Sequence, residues 1–371
     1  MDGGSRLGTF IRDEIALIIC GVLALLSMFL VPPSEDYLDY IDYSMLCILF
    51  CLMATVAGMA ECGLFKNISA RLLSDAASIR KLCLILVALP FFASMAITND
   101  VSLITFVPLA IVTLYSAGRK DLVIPVLVLQ TIAANLGSFM TPIGSPHNLF
   151  VYSKYDPPIS DFTMVVLPYV VVGATVMFLA SAIFCKGDSM HEGVEIPRTT
   201  DHHILVSMII LFVLSVASVA SLVPFWIPLV CTVMAILILK PVLLTKVDYS
   251  LLLTFVFLFI FTGNVVRIEE VSTVLGGLMD SQPLLTPVFA SQFISNVPAA
   301  VMLSGFTTDW QSLLVGVGIG GFGTPIASMA SLITFRLYVR EKEHDVRRFM
   351  TVFLIGNVVM LVLLIAVSYL V

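Results

Sequence analysis

The sequence predicts an all-α polytopic membrane protein, and three features of the chain lead to this fold class. Of the 371 residues, 59% are hydrophobic and only 12% are charged, whereas a soluble protein has about 25% charged residues. The mean hydropathy is +1.06, so the chain has too much apolar surface for a water-soluble core. The apolar residues also fall into segments of about 20, the length that a helix needs to cross a bilayer.

Composition and motifs argue against several classes of function. With a net charge of −6 and no basic patch, we expect no nucleic acid partner. The chain has no Walker A motif, so we expect no ATPase of its own. It also has no zincin or nucleophile-elbow motif, so we do not expect an enzyme. The seven cysteines show no metal-ligand spacing, and no cofactor is expected apart from a coupling ion.

Nine segments are long and apolar enough to cross the bilayer as helices. They are residues 14–31, 41–60, 121–140, 161–185, 203–222, 224–243, 249–266, 311–335 and 349–371. The first is expected to stay uncleaved, because no small-residue cleavage site follows it. Two more apolar segments, 82–117 and 284–306, carry polar residues at their centres. We predict that each of these two is a re-entrant hairpin.

Positive charges predict the orientation. If the N-terminus is cytoplasmic and both hairpins enter and leave on one side, 17 of the 19 lysines and arginines lie inside, and only Lys154 and Arg267 lie outside. This asymmetry is typical of cytoplasmic loops, and reading either hairpin as a simple span would destroy it. The sequence therefore predicts a protein of the inner, plasma membrane with an extracytoplasmic C-terminus. Residues 62–80 read as an amphipathic helix on the inner surface.

The two hairpins resemble each other. The first tip reads Ala96-Ile97-Thr98-Asn99-Asp100, and the second reads Phe293-Ile294-Ser295-Asn296-Val297-Pro298. Each is followed by a helix broken at its centre, over residues 137–146 and 321–328, where Thr-Pro-Ile recurs. By the charge count the hairpins open to opposite sides, so the repeats are inverted. Inverted repeats with broken helices are typical of secondary transporters.

This pattern divides the chain into five segments. They are a first span at 1–40; a first repeat at 41–160, with the surface helix, the hairpin 82–117 and a broken helix 121–150; connecting spans at 161–245; a second repeat at 246–340, with the hairpin 284–306 and a broken helix 311–335; and a last span at 341–371.

The broken helices predict a site for both an anion and a cation. Backbone leaves the helix at membrane depth only where it is buried in protein or lines a wet cavity. Pro142 and Pro325 prevent the helix from continuing. The broken ends expose N–H groups that attract anions and C=O groups that attract cations. We expect free carbonyls near residues 137–141.

Three polar residues stand at the hairpin tips. Asp100 is the one carboxylate expected deep in the membrane, where a charge costs at least ~2.5–3.5 kcal/mol. It is predicted to bind sodium or carry a proton; the alternative is a cap on a helix that begins at Val101. Asn99 and Asn296 offer both donors and a carbonyl. His147, after the first break, either belongs to the site or faces an outer cavity.

The tip and break motifs resemble those of the ion transporter superfamily, which includes divalent anion:sodium symporters, citrate transporter-like permeases and arsenite permeases. The motifs are Thr98-Asn99-Asp100, Gly144-Ser145-Pro146-His147-Asn148-Leu149 after Thr141-Pro142-Ile143, Ser295-Asn296-Val297-Pro298 and Gly323-Thr324-Pro325-Ile326-Ala327-Ser328. The chain is most similar to small bacterial inner-membrane anion permeases of that group. The resemblance implies an elevator-type homodimer, with sodium at the tips and breaks and substrate between the tips.

Carried over by position, the resemblance implies two sets of site residues. The substrate set is Thr98, Asn99, Thr141, Pro142, Ser295, Asn296, Thr324 and Pro325. The coupling-ion set is Asp100, Asn99, Gly137, Gly144, Ser145, Asn296, Gly323 and Ser328, with Na⁺ at Asn99 and Asp100. The carboxylate members carry Ser-Asn-Thr at both tips, so Asp100 and Val297-Pro298 depart from their pattern. An Asn-Asp tip is similar to the arsenite and sodium/proton members.

The predicted function is therefore cation-coupled secondary transport of small anions, with Na⁺ or H⁺ as the coupling ion. Di- and tricarboxylates such as citrate or succinate are the expected substrates. The alternatives on the same fold are arsenite or antimonite efflux and Na⁺/H⁺ antiport. An external ATPase is an expected partner only for arsenite efflux.

Overall fold

The computed structural model of the chain describes residues 15–65, 67–68, 78–185, 201–341 and 344–371. Within these ranges the chain forms α-helices and two 3₁₀ turns and has no strand. Eight of the described helices are long and apolar enough to cross a membrane. The all-α polytopic fold class is confirmed. The predicted surface helix at 62–80 lies largely outside the described residues.

Seven α-helices of the first half have both ends within the described ranges. They are α1 (Ile15–Leu30), α2 (Asp36–Asp39), α3 (Tyr43–Glu61), α4 (Ile79–Ala96), α5 (Asn99–Ser116), α6 (Val123–Phe139) and α7 (Pro146–Tyr155). A 3₁₀ turn, Lys120–Leu122, leads into α6. Helices α4 and α5 form the first hairpin, and α6 and α7 are the two arms of the first broken helix.

The second half begins with three connecting helices and continues the helical fold. Its helices are α8 (Ile159–Phe184), α9 (His202–Val219), α10 (Trp226–Leu239), α11 (Tyr249–Val266), α12 (Glu269–Ser281), α13 (Leu285–Ile294), α14 (Asn296–Leu303), α15 (Trp310–Gly320), α16 (Met329–Val339) and α17 (Val346–Val367). The second hairpin is α13–α14, and the second broken helix is α15–α16. Helix α10 is shorter than the predicted span 224–243, because a 3₁₀ turn takes over at Pro241.

Helix α6 is the centre of the core. All its residues except Pro125 are buried, because α4, α5, α8, α16 and α17 all pack against it. A helix that is apolar all round is stable only when it is covered in this way. In the second half α15 packs against α13 and α14. Both broken helices are therefore held inside the protein, which permits their irregular backbone.

The two hairpins differ in length. The arms of the first have 18 residues each, or about 27 Å at 1.5 Å per residue, so by length each could cross the hydrocarbon core. The arms of the second have 10 and 8 residues, or about 15 and 12 Å. Either kind of hairpin returns the chain to the side from which it came. The predicted orientation of later segments is therefore the same in both cases.

Helices α3 and α11 begin in the same way. Asp42-Tyr43-Ser44 precedes one and Asp248-Tyr249-Ser250 the other. Each aspartate accepts a hydrogen bond at 2.9 Å from the backbone N–H three residues later, at Met45 or Leu251, as helix caps do. This second recurrence lies close to the predicted starts of the two repeats, at residues 41 and 246. The inverted orientation of the repeats stays a prediction.

Candidate functional site

Each hairpin tip is bonded to the break of its own half through equivalent backbone groups. The N–H of Asn99 donates to the carbonyl of Gly144 at 3.0 Å, and the N–H of Asn296 donates to the carbonyl of Ala327 at 2.9 Å. Thr141 Oγ1 donates to the Met95 carbonyl at 2.6 Å. These bonds fix both predicted tip asparagines against the loops that interrupt the broken helices.

The threonine bond recurs in the second half with the same register. Thr324 Oγ1 donates to the Gln292 carbonyl at 3.0 Å, and Gln292 precedes Asn296 by four residues, as Met95 precedes Asn99. Thr141 and Thr324, which were predicted to bind substrate, therefore fix each hairpin to the break of its own half. Of the prolines that follow them, Pro142 is buried and Pro325 is half-buried.

This register also aligns the glycines of the two breaks. Gly137 lies four residues before Thr141, and Gly320 lies four residues before Thr324. Gly320 is therefore the counterpart of Gly137, although the sequence comparison had started the second break at Gly321. A Cβ on Gly137 would collide with the backbone carbonyl of Phe91, and one on Gly320 would lie 2.6 Å from Ser291 Oγ. Both glycines permit close packing of hairpin on broken helix.

Alanine at Gly137 or Gly320 is expected to lower the thermal unfolding midpoint in detergent, because overpacking a tight core costs about 1–3 kcal/mol or more. Gly277→Ala is the matched control, since no atom lies within 4 Å of a Cβ there and alanine favours the helix. The control midpoint should stay the same or rise. An unchanged midpoint for Gly137→Ala would show that the hairpin is not packed as described.

The two halves of the site meet at Asn135, on α6. Its Oδ1 accepts from Asn99 Nδ2 at 3.0 Å and from Ser328 Oγ at 3.2 Å. Asn135 Nδ2 is buried and has no hydrogen-bond partner among the described residues. Helices α6 and α16 are joined again one helical turn before Asn135, where Thr131 Oγ1 donates to Thr334 Oγ1 at 2.9 Å. The first tip and the second break are thus parts of one site.

Asp100 lies in the first turn of α5 and lines a cavity of about 450 Å³. Its Oδ1 is buried and has no hydrogen-bond partner among the described residues. Helix α5 begins at Asn99, not at Val101, and the capping position is Thr98. The alternative role of Asp100 as the helix cap is therefore wrong. The carboxylate faces the cavity instead.

The same cavity connects the first tip with one face of the protein. Thr98, Pro146 and Met329 line its deep end, and Glu61 and Lys246 line it at the other. Glu61 pairs with Lys246 at 3.3 Å and with Lys240 at 3.4 Å. A neighbouring cavity of about 210 Å³ shares Asp248 with the first and reaches Ser295, at the second tip, and Arg336. The charge rule predicts that this face is cytoplasmic.

Four of the carbonyls at the first break accept hydrogen bonds, so these four are not free, contrary to the expectation. Asn148 Nδ2 donates to the carbonyls of Ser138 and Thr141 at 2.9 Å each and to that of Phe139 at 3.4 Å. Gly137 likewise accepts from the N–H of Met140 at 3.1 Å. The signal for Asn148 was present in the sequence, because it follows directly after the break motif.

Gln292 does the same at the second break. Its Nε2 donates to the carbonyls of Gly320 at 2.8 Å and Phe322 at 2.9 Å, and its Oε1 accepts from the N–H of Thr324 at 2.9 Å. Gly323, beside it, has φ of 110°, a backbone conformation that favours glycine. No pattern in the sequence singled out Gln292, which lies inside the first arm of the hairpin.

The serines of the two breaks are helix starts. Ser145 Oγ accepts from the N–H of Asn148 at 3.4 Å and lies 3.3 Å from His147 Nε2, and both residues are buried. His147 therefore belongs to the interior of the break, not to an outer cavity. Ser328 precedes α16 and donates to Asn135. Ser295, at the second tip, has φ of 74° and lies 3.4 Å from the Ala327 carbonyl.

These features define a multi-pass membrane protein of the transporter class: membrane-length helices enclose two hairpins whose polar tips rest in two interrupted helices. The chain belongs to the citrate transporter family, whose sequence profile matches residues 9–311. The resemblance to the ion transporter superfamily is confirmed, and the family and the names of its relatives indicate a transporter rather than an enzyme.

Three relatives support this assignment. The chain is 32% identical to an uncharacterised transporter of Methanocaldococcus jannaschii over 98% of each chain. It is 28% identical to the inner membrane protein YbiR of Escherichia coli over 86% of each chain. It is 25% identical to an uncharacterised transporter of Mycobacterium bovis, over 79% of this chain and 77% of the relative.

Proposed function

We propose that the protein is a cation-coupled secondary transporter of small anions, with di- and tricarboxylates such as citrate or succinate as substrates. The observation that carries the proposal is the convergence of four helix N-termini. Helices α5, α7, α14 and α16 begin at Asn99, Pro146, Asn296 and Met329, at the two tips and the two breaks. Helix N-termini carry positive partial charge and free N–H groups, so the place where they meet favours an anion.

The contacts of the tips bring these N-termini together. Asn99 is bonded to the loop before α7, Asn296 to the loop before α16, and Asn135 joins Asn99 to Ser328. The unpaired Nδ2 of Asn135 adds a donor for a substrate oxygen. The adjoining cavity of about 450 Å³ falls in the size range of small-molecule sites.

Asp100 supplies the reason for cation coupling. A carboxylate in the same cavity as an anionic substrate repels it. A cation or a proton on Asp100 would remove that repulsion, so substrate and cation would bind together. The family assignment and the names of the relatives support transport, and the substrate and the coupling ion are our inference.

We further propose that the N-terminus is cytoplasmic and the C-terminus extracytoplasmic, on the strength of the charge count. In a cysteine-free background, Leu38→Cys, at an exposed position, should react with a membrane-impermeant thiol reagent added outside intact cells. Reaction only after the reagent reaches the cytoplasm would reverse the orientation. Arg340→Cys, on the loop after α16, is the opposite control.

The proposal is tested with purified protein in proteoliposomes and a panel of radiolabelled anions together with arsenite. We expect saturable uptake of at least one carboxylate, driven by a sodium or a proton gradient. Asn99→Ala and Asn296→Ala should each abolish it while the protein stays folded. Asn357→Ala is the matched control, because this buried asparagine of α17 donates only to the carbonyl one turn earlier. Uptake of arsenite alone would favour the efflux function instead.

A further inference from the structure

Both breaks are closed by the amide group of a side chain. In the first half the NH₂ group of Asn148 lies 2.9 Å from two carbonyls and 3.4 Å from a third. In the second half the NH₂ group of Gln292 lies 2.8 and 2.9 Å from two carbonyls and 3.3 Å from that of Val288. Asn148 follows its break, whereas Gln292 comes from the hairpin. The two halves reach the same arrangement with residues from different positions.

The carbonyls involved are the ones that a cation would use. The last carbonyls of a helix have no partner within the helix and carry its negative partial charge. Ser138 and Phe139 end α6, and Gly320 ends α15. Hard cations such as sodium take several oxygen ligands of this kind. Here a neutral amide donates into each group of carbonyls and occupies its centre.

The orientation of the first amide follows from chemistry. Asn148 Oδ1 is buried and has no hydrogen-bond partner among the described residues. Turning the amide over would leave its NH₂ group, instead of its oxygen, in the position that has no partner. It would also set the amide oxygen against three carbonyl oxygens. The NH₂ group must therefore face the break.

Further oxygens at the tips and breaks also accept hydrogen bonds, whereas Oδ1 of Asp100 has no partner among the described residues. The carbonyl of Gly144 accepts from Asn99 and that of Ala327 from Asn296. Asn99 Oδ1 accepts from the N–H of Asp100 at 3.0 Å. The break carbonyls to which Asn148 and Gln292 donate therefore do not fit a sodium ion while these amides are in place.

We propose that Asn148 and Gln292 replace sodium at the two breaks, so that this transporter holds neither break closed with a metal ion. The inference rests on the proposed function only in that it narrows the identity of the coupling ion. It concerns the breaks themselves and not Asp100.

The test is thermal unfolding of the purified protein in sodium chloride and in choline chloride at equal ionic strength. The wild-type midpoint should be the same in both salts. Asn148→Ala and Gln292→Ala expose carbonyls that a cation can then use, so sodium should raise their midpoints. At a concentration ten times the dissociation constant the rise should be about 2 °C or more.

Gln130→Ala is the matched control. Gln130 is a buried glutamine of α6 whose Nε2 donates to the Leu86 carbonyl at 2.8 Å, away from both breaks, and its loss should bring no response to sodium. Midpoints of Asn148→Ala and Gln292→Ala that do not respond to sodium would overturn the proposal. So would a sodium-dependent rise in the wild type that persists in Asp100→Asn. If the alanine variants do not fold, Asn148→Ser and Gln292→Ser give the same comparison. The assay needs no substrate, so its failure is separate from failure of the transport proposal.

Discussion

Asp100→Asn is expected to uncouple transport from its driving gradient. The asparagine is nearly isosteric with a protonated aspartic acid and has no charge to bind a cation. The variant should therefore bind the anion without needing a cation or a proton at this position. In proteoliposomes the wild type should accumulate substrate when a sodium or proton gradient is imposed. The variant should only equilibrate it, at a rate that no longer depends on the gradient.

Asp248→Asn provides the control for this experiment. Asp248 lines the same cavity as Asp100, but its Oδ1 accepts from the N–H of Leu251 at 2.9 Å and caps α11. Asparagine caps a helix about as well as aspartate does, so this variant should remain coupled. If Asp100→Asn accumulates substrate as the wild type does, Asp100 has no part in coupling.

Asn135→Ala should have the second large effect, because it removes the side chain that joins the two halves of the site. Its loss leaves Asn99 Nδ2 and Ser328 Oγ without their acceptor, and each buried unpaired group costs about 1–3 kcal/mol. We expect a lower thermal midpoint and no transport. Replacement of Asn357, whose single donor bond stays within α17, should lower the midpoint less and leave transport intact.

Asn135→Asp separates the two roles of this residue. The aspartate keeps an oxygen for Asn99 and Ser328 but loses the unpaired donor and adds a negative charge. The protein should therefore fold, with a midpoint closer to wild type than that of the alanine variant, and still fail to transport an anion. Normal transport by this variant would exclude Asn135 Nδ2 as a ligand of the substrate.

Much of this site could be predicted because its residues contrast with their surroundings. Asn99, Asn296, Pro142 and Pro325 interrupt long apolar segments, and such interruptions are stable in a membrane only at buried or wetted sites. The asymmetric distribution of lysines and arginines predicted the two hairpins from the sequence alone. The family resemblance then linked tips and breaks, which the structure places in direct contact.

Sequence reasoning assigned no role to some residues of the site, because their role depends on which neighbours the fold brings to them and not on residue type alone. Asn135 and Gln292 are single polar residues in apolar helices, and nothing in the sequence shows which neighbour each one faces. The function of Asn148 depends on the backbone path through the break, which brings three carbonyls to one point. The counterpart of Gly137 could not be placed from the sequence for the same reason, since only the paired threonine bonds fix the register of the two breaks.

The role assigned to Asp100 shows a further limit of sequence reasoning. The sequence allowed either a helix cap or an ion-binding group, because both occur in the first turn of a helix. The choice depended on where α5 begins, and helix ends are difficult to place from sequence to within two residues. The contact between Asn99 and Gly144 starts the helix at Asn99 and leaves the carboxylate facing the cavity.

The central claim is that a small anion binds between the two hairpin tips, and protection of single cysteines by substrate tests it most directly. In a cysteine-free background, Thr98→Cys and Ser295→Cys place a thiol at each tip, in the two cavities described. Both should react with a small thiol reagent, and a transported carboxylate should slow both reactions, while Leu38→Cys, at an exposed position of α2, should be unaffected. Reaction at both tips that no carboxylate slows would contradict the account.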